Sequence, residues 1–157
     1  MRLFLRSLFW TVLCPGMVVL VVPAYFLIDI KEIQWPSNWQ QWIGLVFFMV
    51  GGHILLRCIF SFAIDGKGTL SPIDPARRLV VKGLYKYVRN PMYVGVVCML
   101  LGETVYFWQL PLLGYTALVF LIFNLFIRLY EEPHLRQQFG AEYAEYCSNV
   151  RRWIPRG

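Results

Sequence analysis

Four apolar stretches, Leu8 to Ile28, Trp42 to Ile64, Met92 to Phe107 and Leu112 to Leu129, constrain this chain more than any other feature. A helix crossing a bilayer needs about 20 predominantly apolar residues, with about 17 as the lower limit. The first, second and fourth stretches pass, and the third is marginal. The third and fourth read as a tight helical hairpin turning near Trp108 to Pro111. Hydrophobic residues make up 58% of the 157 positions, well above the roughly 45–50% of soluble domains. The expectation is an all-α integral membrane protein with about four transmembrane helices, built as a single domain in which residues 1–64 form the two N-terminal spans and residues 65–157 the functional core.

Arg2 and Arg6 precede the first apolar stretch, as in a signal peptide, but the run is too long for one and no small-residue cleavage site follows, so it reads as a span. Basic residues set the orientation. Arg2 and Arg6 lie before the first span, Lys67, Arg77, Arg78, Lys82, Lys86 and Arg89 between the second and third, and Arg136, Arg151, Arg152 and Arg156 after the fourth. Lys31 alone lies in the opposite loops, so the positive-inside rule places both termini and the long middle loop in the cytoplasm. A bacterial or archaeal inner membrane is the expected location. Topology and anionic lipid account for the net charge of +6, without nucleic acid.

Cys14, Cys58, Cys98 and Cys147 are scattered, with none of the close spacing of a metal site, so they read as buried small apolar residues and no metal is expected. The middle loop, Asp65 to Lys82, holds too much Gly and Pro for a long helix, and ordered non-helical backbone at a membrane face lines a cavity or covers a ligand. Its Leu79, Val80 and Val81 argue against a solvated linker. Beyond the fourth span, Leu135, Phe139, Tyr143, Tyr146 and Val150 recur at helical spacing, which predicts a cytoplasmic amphipathic helix lying on the membrane face or folded back over the core.

Several polar residues invite a plain and a sharper reading. Arg128 precedes Glu131 and Glu132 by three and four positions, so one helical turn brings them together; the plain reading is a snorkelling arginine in an interfacial ion pair. Glu103 sits inside the third span, where an unpaired charge costs on the order of 2.5–3.5 kcal/mol, so it must face protein, pair or be protonated. His53 and Arg57, on one face of the second span, are candidate partners, and a structural polar cluster serves equally well. His134 reads as an interfacial side chain.

The segment Gly83 to Gly95, Gly-Leu-Tyr-Lys-Tyr-Val-Arg-Asn-Pro-Met-Tyr-Val-Gly, packs aromatic, basic and turn-forming residues against the start of the third span. Asn90 suits a helix N-cap and Pro91 the first helical position, where its missing N–H has no partner to lose. The helix N-terminus, with free donors and partial positive charge, then points at the space around Tyr85, Arg89 and Tyr93, a seat for a carboxylate.

These residues carry a resemblance. The chain from about Gly66 to Pro155 resembles the isoprenylcysteine carboxyl methyltransferase and phospholipid methyltransferase superfamily of integral membrane enzymes, through Gly-Lys-Gly-Thr at 66–69, Asp-Pro at 74–75 and Arg-Arg-Leu-Val-Val-Lys-Gly-Leu-Tyr at 77–85. Further matches are Val-Arg-Asn-Pro-Met-Tyr-Val-Gly at 88–95, Leu-Gly-Glu at 101–103, Glu-Glu-Pro-His-Leu at 131–135 and Phe-Gly-Ala-Glu-Tyr-Ala-Glu-Tyr at 139–146. The first two spans match only as generic membrane helices.

The resemblance implies S-adenosylmethionine as methyl donor, with S-adenosylhomocysteine as product, bound between the hairpin and the C-terminal segment. It implies donor contacts from Arg77, Arg78, Leu79 and Val80, from Tyr85, Arg89, Asn90, Pro91, Met92 and Tyr93, and from Glu131 or Glu132. Carboxyl methyltransferases of this family often carry His where this chain has Asn90; asparagine can donate a hydrogen bond but cannot titrate, which excludes proton transfer there. Arg128 is the expected orienter of the acceptor and Glu132 helps to place donor or acceptor. A carboxylate acceptor needs no base, whereas an amine does, and Glu132 or Glu103 is the candidate. The acceptor should be lipid-like or prenylated and arrive sideways between the spans. A small four-helix transporter, with Glu103 carrying protons, is the competing class, but it needs neither the Gly/Pro loop nor the amphipathic lid. A non-catalytic lipid-binding relative is the third.

Overall fold

The computed structural model describes residues 15–29, 34–65, 79 and 81–155. The start of the first apolar stretch and most of the middle loop, with Arg77, Arg78 and Val80, lie outside these. Every regular element among the described residues is helical. They are α1 (Met17–Phe26, π-helical over Met17–Val21), α2 (Trp39–Asp65), a 3-10 turn (Gly83–Lys86), α3 (Pro91–Phe107), α4 (Leu110–Phe126), a π-helical turn (Ile127–Glu131) and α5 (Glu132–Asn149).

Among the described residues, two helices are long and apolar enough to cross a membrane, α2 and the helix that runs from Leu110 to Asn149. α3 follows its expected bounds closely, starting at Pro91 and ending at Phe107. The hairpin to α4 also turns where the sequence indicates. Trp108 takes the left-handed conformation (φ 51°) that terminates helices, Gln109 is extended, and Leu110 and Pro111 open the next helix.

α3 lies antiparallel against α2 at a distance that only glycine allows. A Cβ on Gly51 would fall 2.5 Å from the Gly95 carbonyl oxygen, and one on Gly44 would fall 2.6 Å from that of Gly102. Both helices thus place glycines seven residues apart, two turns along one face, so that backbone meets backbone. This contact fixes where α3 begins, and therefore where its N-terminus points. Val96, Met99 and Leu100 of α3 pack with Val119 of α4 and Val19 of α1 into the apolar core.

The polar side chains at these crossings are tied to backbone. The Thr104 and Thr116 hydroxyls lie 3.1 Å apart, each 2.8 Å from the carbonyl one turn earlier, so one donates to its carbonyl and the other can donate either to its carbonyl or to its partner hydroxyl. The Tyr115 hydroxyl donates to the Val18 carbonyl at 2.8 Å, joining α4 to α1.

The segment after α4 departs from expectation. α5 does not break away as a separate helix, because Ile127–Glu131 carries the helix on from α4 as a π-helical turn. Pro133 stands at the second position of α5, where its ring crowds the carbonyl four residues earlier; a widened turn relieves that clash and keeps the helix going. The bend comes later, at Gly140, whose backbone (φ 52°, ψ −121°) is open to glycine and strained for other residues. The apolar spacing holds across it: Tyr143, Tyr146 and Val150 are buried together, with Leu135, Phe139, Cys147 and Leu79 packed around them.

Candidate active site

α3 starts at Asn90 and Pro91 as the sequence indicates, but Asn90 does not act as a side-chain cap. Its residue is only 8% exposed, and Nδ2 is buried with no hydrogen-bond partner among the described residues. Beside it, Arg89 Nε is also buried and unpartnered among them. Two orphan donors therefore sit at a helix N-terminus, where the first N–H groups already lack intrahelical acceptors. A buried unsatisfied donor costs roughly 1–3 kcal/mol, so this arrangement is built to meet an acceptor.

Across from it stand two glutamates with opposite fates. Glu131 Oε2 accepts a hydrogen bond from the Tyr93 hydroxyl at 2.9 Å. Burial pushes the Glu131 carboxyl above the usual carboxylate range; the Tyr93 hydrogen bond opposes that shift and the charge of Glu132 adds to it. Glu132 is buried too, yet its pKa is depressed, because hydrogen bonding to Arg152 and the charges of Arg89, Arg152 and Arg136 outweigh burial. Arg152 grips it through Nε (2.5 Å to Oε1) and Nη2 (2.8 Å to Oε2), and Arg89 Nη1 reaches Oε1 at 3.1 Å.

The loop before α3 supports this cluster. Tyr85 is buried against Cys58, Ile54, Leu84 and Met92, and its carbonyl accepts from the Tyr146 hydroxyl at 2.6 Å. Burial raises the Tyr85 phenol well above its ordinary value, reinforced by Cys58 and by Glu131, so it is neutral. Tyr146, also raised by burial, is neutral as well. The Tyr93 ring packs on Phe123 of α4 with centroids 4.7 Å apart. Arg89 Nη1 also lies 2.9 Å from the Cys147 sulfur, so this cysteine is a polar contact and not only apolar filling.

Of the expected site residues, the fold brings together Tyr85, Arg89, Asn90, Pro91, Met92, Tyr93, Glu131 and Glu132, and Leu79 packs on the apolar cluster beneath them. Three of the expected residues are placed differently from the rest. Glu132 is a weak base, because two guanidiniums contact both of its oxygens and lower its affinity for a proton. Glu103 lies twelve residues into α3, about 18 Å along the axis from Pro91, beyond reach of this cluster. It is buried against protein, but Oε2 has no partner among the described residues, while His53 and Arg57 are exposed. Arg128 is exposed, and the two glutamates bond to Tyr93, Arg89 and Arg152 instead. His134 is exposed and stacks on Tyr130, as an interfacial side chain can.

Arg152, which by sequence counts only toward the topological charge, joins the site through a partner 20 positions away that nothing local marks. The close-contact glycines were also missed, although the seven-residue spacing of Gly44 and Gly51, and of Gly95 and Gly102, could have shown them.

Comparison with known proteins identifies what this arrangement belongs to. A family profile described as phospholipid methyltransferase matches residues 39–142. The chain is similar to protein-S-isoprenylcysteine O-methyltransferase B of Arabidopsis thaliana, with 32% identity over 138 residues covering 86% of this chain and 67% of that protein. The Xenopus laevis protein-S-isoprenylcysteine O-methyltransferase shows 31% identity over 130 residues, 81% of this chain and 43% of the relative. Methanethiol S-methyltransferase of Pseudomonas deceptionensis shows 29% identity over 161 residues, 92% and 58% respectively. The matched region contains α2, the α3–α4 hairpin and the Arg89–Asn90–Glu131–Glu132 cluster, and so the chain belongs to the phospholipid methyltransferase family, as a membrane enzyme that transfers methyl groups.

Proposed function

We propose that this protein transfers a methyl group from S-adenosylmethionine to a lipophilic acceptor at the cytoplasmic face of a membrane, with four helices spanning the bilayer and the Asn90 end of α3 facing the cytoplasm. The observation that carries this reading is the pair of buried donors at the N-terminus of α3, Asn90 Nδ2 and Arg89 Nε, which have no partner among the described residues. Donors of this kind at a helix N-terminus call for an anion, and the amino-acid carboxylate of S-adenosylmethionine supplies one.

The cofactor supplies an electrophilic methyl group on a cationic sulfur, which needs alignment more than acid or base. The chain's residues divide the work by charge. Asn90 and Arg89, with the first free N–H groups of α3, hold the carboxylate. Glu131, anchored by Tyr93, suits the ammonium or ribose hydroxyls, and the faces of Tyr93 and Phe123 suit a cationic or aromatic group. Glu132 serves the arginines.

Arg128 stands exposed one turn before Glu131, where a carboxylate borne by a membrane-embedded molecule can meet it, so it orients a carboxylate acceptor. An amine acceptor requires a base, and with Glu132 held by two arginines and Glu131 given to the donor, the site suits an acceptor that needs none. The relatives' names span an isoprenylcysteine O-methyltransferase and a methanethiol S-methyltransferase, so the acceptor screen includes carboxylates, amines and thiols.

Isothermal titration of the purified protein in nanodiscs with S-adenosylmethionine tests the site, and saturable one-site binding is expected. A screen of lipid extracts with radiolabelled methyl donor then identifies the acceptor. Absence of saturable binding overturns the reading.

A further inference from the structure

The residues after α5 cross the site as a short strap. Val150 is extended and buried with Tyr143 and Tyr146, Arg151 forms a parallel bridge with Val88, and the backbone N–H groups of Arg89 and Asn90 donate to the carbonyls of Arg151 (2.8 Å) and Arg152 (3.3 Å). Trp153 then packs on Phe120 of α4 with ring centroids 4.9 Å apart. Backbone pairing on one side of Arg152 and the ring contact on the other fix where its guanidinium lies, and it meets Glu132 with a two-point fork.

Charge counting gives this fork a role beyond fastening. Arg89 and Glu132 alone would be a neutral pair, since Arg89 Nη1 already bonds Glu132 Oε1. A neutral pair attracts a carboxylate weakly. Arg152 brings a second guanidinium to the same carboxylate, so Arg89, Arg152 and Glu132 together keep one net positive charge, while Glu131, tied to Tyr93, is set aside for the donor's ammonium or ribose. That charge adjoins the orphan Nε of Arg89 and the orphan Nδ2 of Asn90.

We propose that Arg152 is a positioning residue for donor binding: by satisfying Glu132 it leaves the charge of Arg89 uncompensated for the donor's carboxylate. The inference rests on the reading of the site given above. It assigns Arg152 no contact with the donor, and it makes Glu132 harmful to binding whenever Arg152 is missing.

The test is titration calorimetry of S-adenosylmethionine against the full-length protein in nanodiscs, comparing wild type, Arg152→Met, Arg152→Lys and the double variant Arg152→Met/Glu132→Gln. Arg152→Met should weaken binding roughly tenfold, the scale of losing one charge-assisted interaction. Arg152→Lys should retain most of the affinity. The double variant should recover affinity relative to Arg152→Met, because the uncharged amide that replaces the Glu132 carboxylate no longer neutralises Arg89. A purely structural strap predicts the opposite, a double variant as weak as Arg152→Met or weaker, and that outcome overturns the proposal. Wild-type affinity in Arg152→Met overturns it as well. Failure of the wild type itself to bind would defeat the assignment of the site, and this inference with it, whereas binding by wild type with an indifferent Arg152→Met defeats this inference alone.

Discussion

The Tyr93 hydroxyl donates to Glu131 at 2.9 Å, a contact across 38 positions that joins the first turn of α3 to the π-helical turn following α4. It closes the ring of residues around the α3 N-terminus, with Asn90 and Arg89 on one side and the two glutamates on the other. Neither partner has a local reason to find the other. They meet because the hairpin at Trp108 folds α4 back along α3 and the helix then continues without a break past Pro133.

Asn90→Ala removes one of the two orphan donors, and Tyr93→Ala removes both the anchor of Glu131 and the ring on Phe123. Each should weaken S-adenosylmethionine binding by about five- to tenfold, on the order of 1 kcal/mol or slightly more. Helicity by circular dichroism should be unchanged, since Asn90 makes no side-chain cap bond. Unchanged affinity in both variants would count heavily against the assigned pocket.

Donor affinity should depend on pH through Glu131. Because its carboxyl is raised by burial, it becomes the carboxylate needed to meet a cation only as pH rises through a range above the ordinary value of about 4.3. Affinity should therefore climb with pH across that raised range and level off above it. Glu131→Gln should bind more weakly and lose this dependence; a Gln variant that keeps the same pH profile assigns the titration elsewhere.

Glu132 shifts the other way, and its effect belongs to stability. A depressed folded-state pKa means that the contribution of Glu132 is complete above the unfolded value, about pH 4.3, and is lost as pH falls through the lower folded value. Thermal unfolding in detergent should show an acid-side fall in wild type that is smaller in Glu132→Gln. At neutral pH this variant, which faces two guanidiniums without their carboxylate, should be less stable by about 2 kcal/mol or more.

The α2–α3 contact predicts a strong positional contrast among glycines. Gly51→Ala and Gly102→Ala drive a methyl group into backbone atoms less than 3 Å away, and overpacking of this kind costs about 1–3 kcal/mol. Gly114→Ala meets open space, with nothing within 4 Å. Thermal unfolding should separate the two classes, and equal melting temperatures for Gly51→Ala and Gly114→Ala would contradict the backbone contact.

Arg128→Ala should impair turnover by tenfold or more, roughly the loss of a charge-assisted contact, with donor affinity nearly unchanged. The exposed position of Arg128, away from the paired glutamates, is the reason for this split. A selective loss of donor binding would instead make Arg128 part of the donor site.

The sequence by itself determined the apolar helices α2, α3 and α4, the hairpin turn at Trp108, the start of α3 at Asn90–Pro91 and the apolar spacing of α5. Each follows from hydropathy, spacing or turn chemistry within about 20 residues, and such short-range terms act before any tertiary contact exists. The match of motifs along Gly83–Gly95 and Glu131–Leu135 likewise pointed to the residues that the fold gathers. Only the tertiary structure decided which charges pair. Arg128 is four positions from Glu132, yet Glu132 pairs with Arg89, 43 positions away, and Arg152, 20 away, because the inward face of α5 is set by packing of Tyr143 and Tyr146 and not by proximity along the chain. Helical spacing offered an ion pair worth a few tenths of a kcal/mol on an exposed face, and burial made two guanidiniums around one desolvated carboxylate the stronger demand.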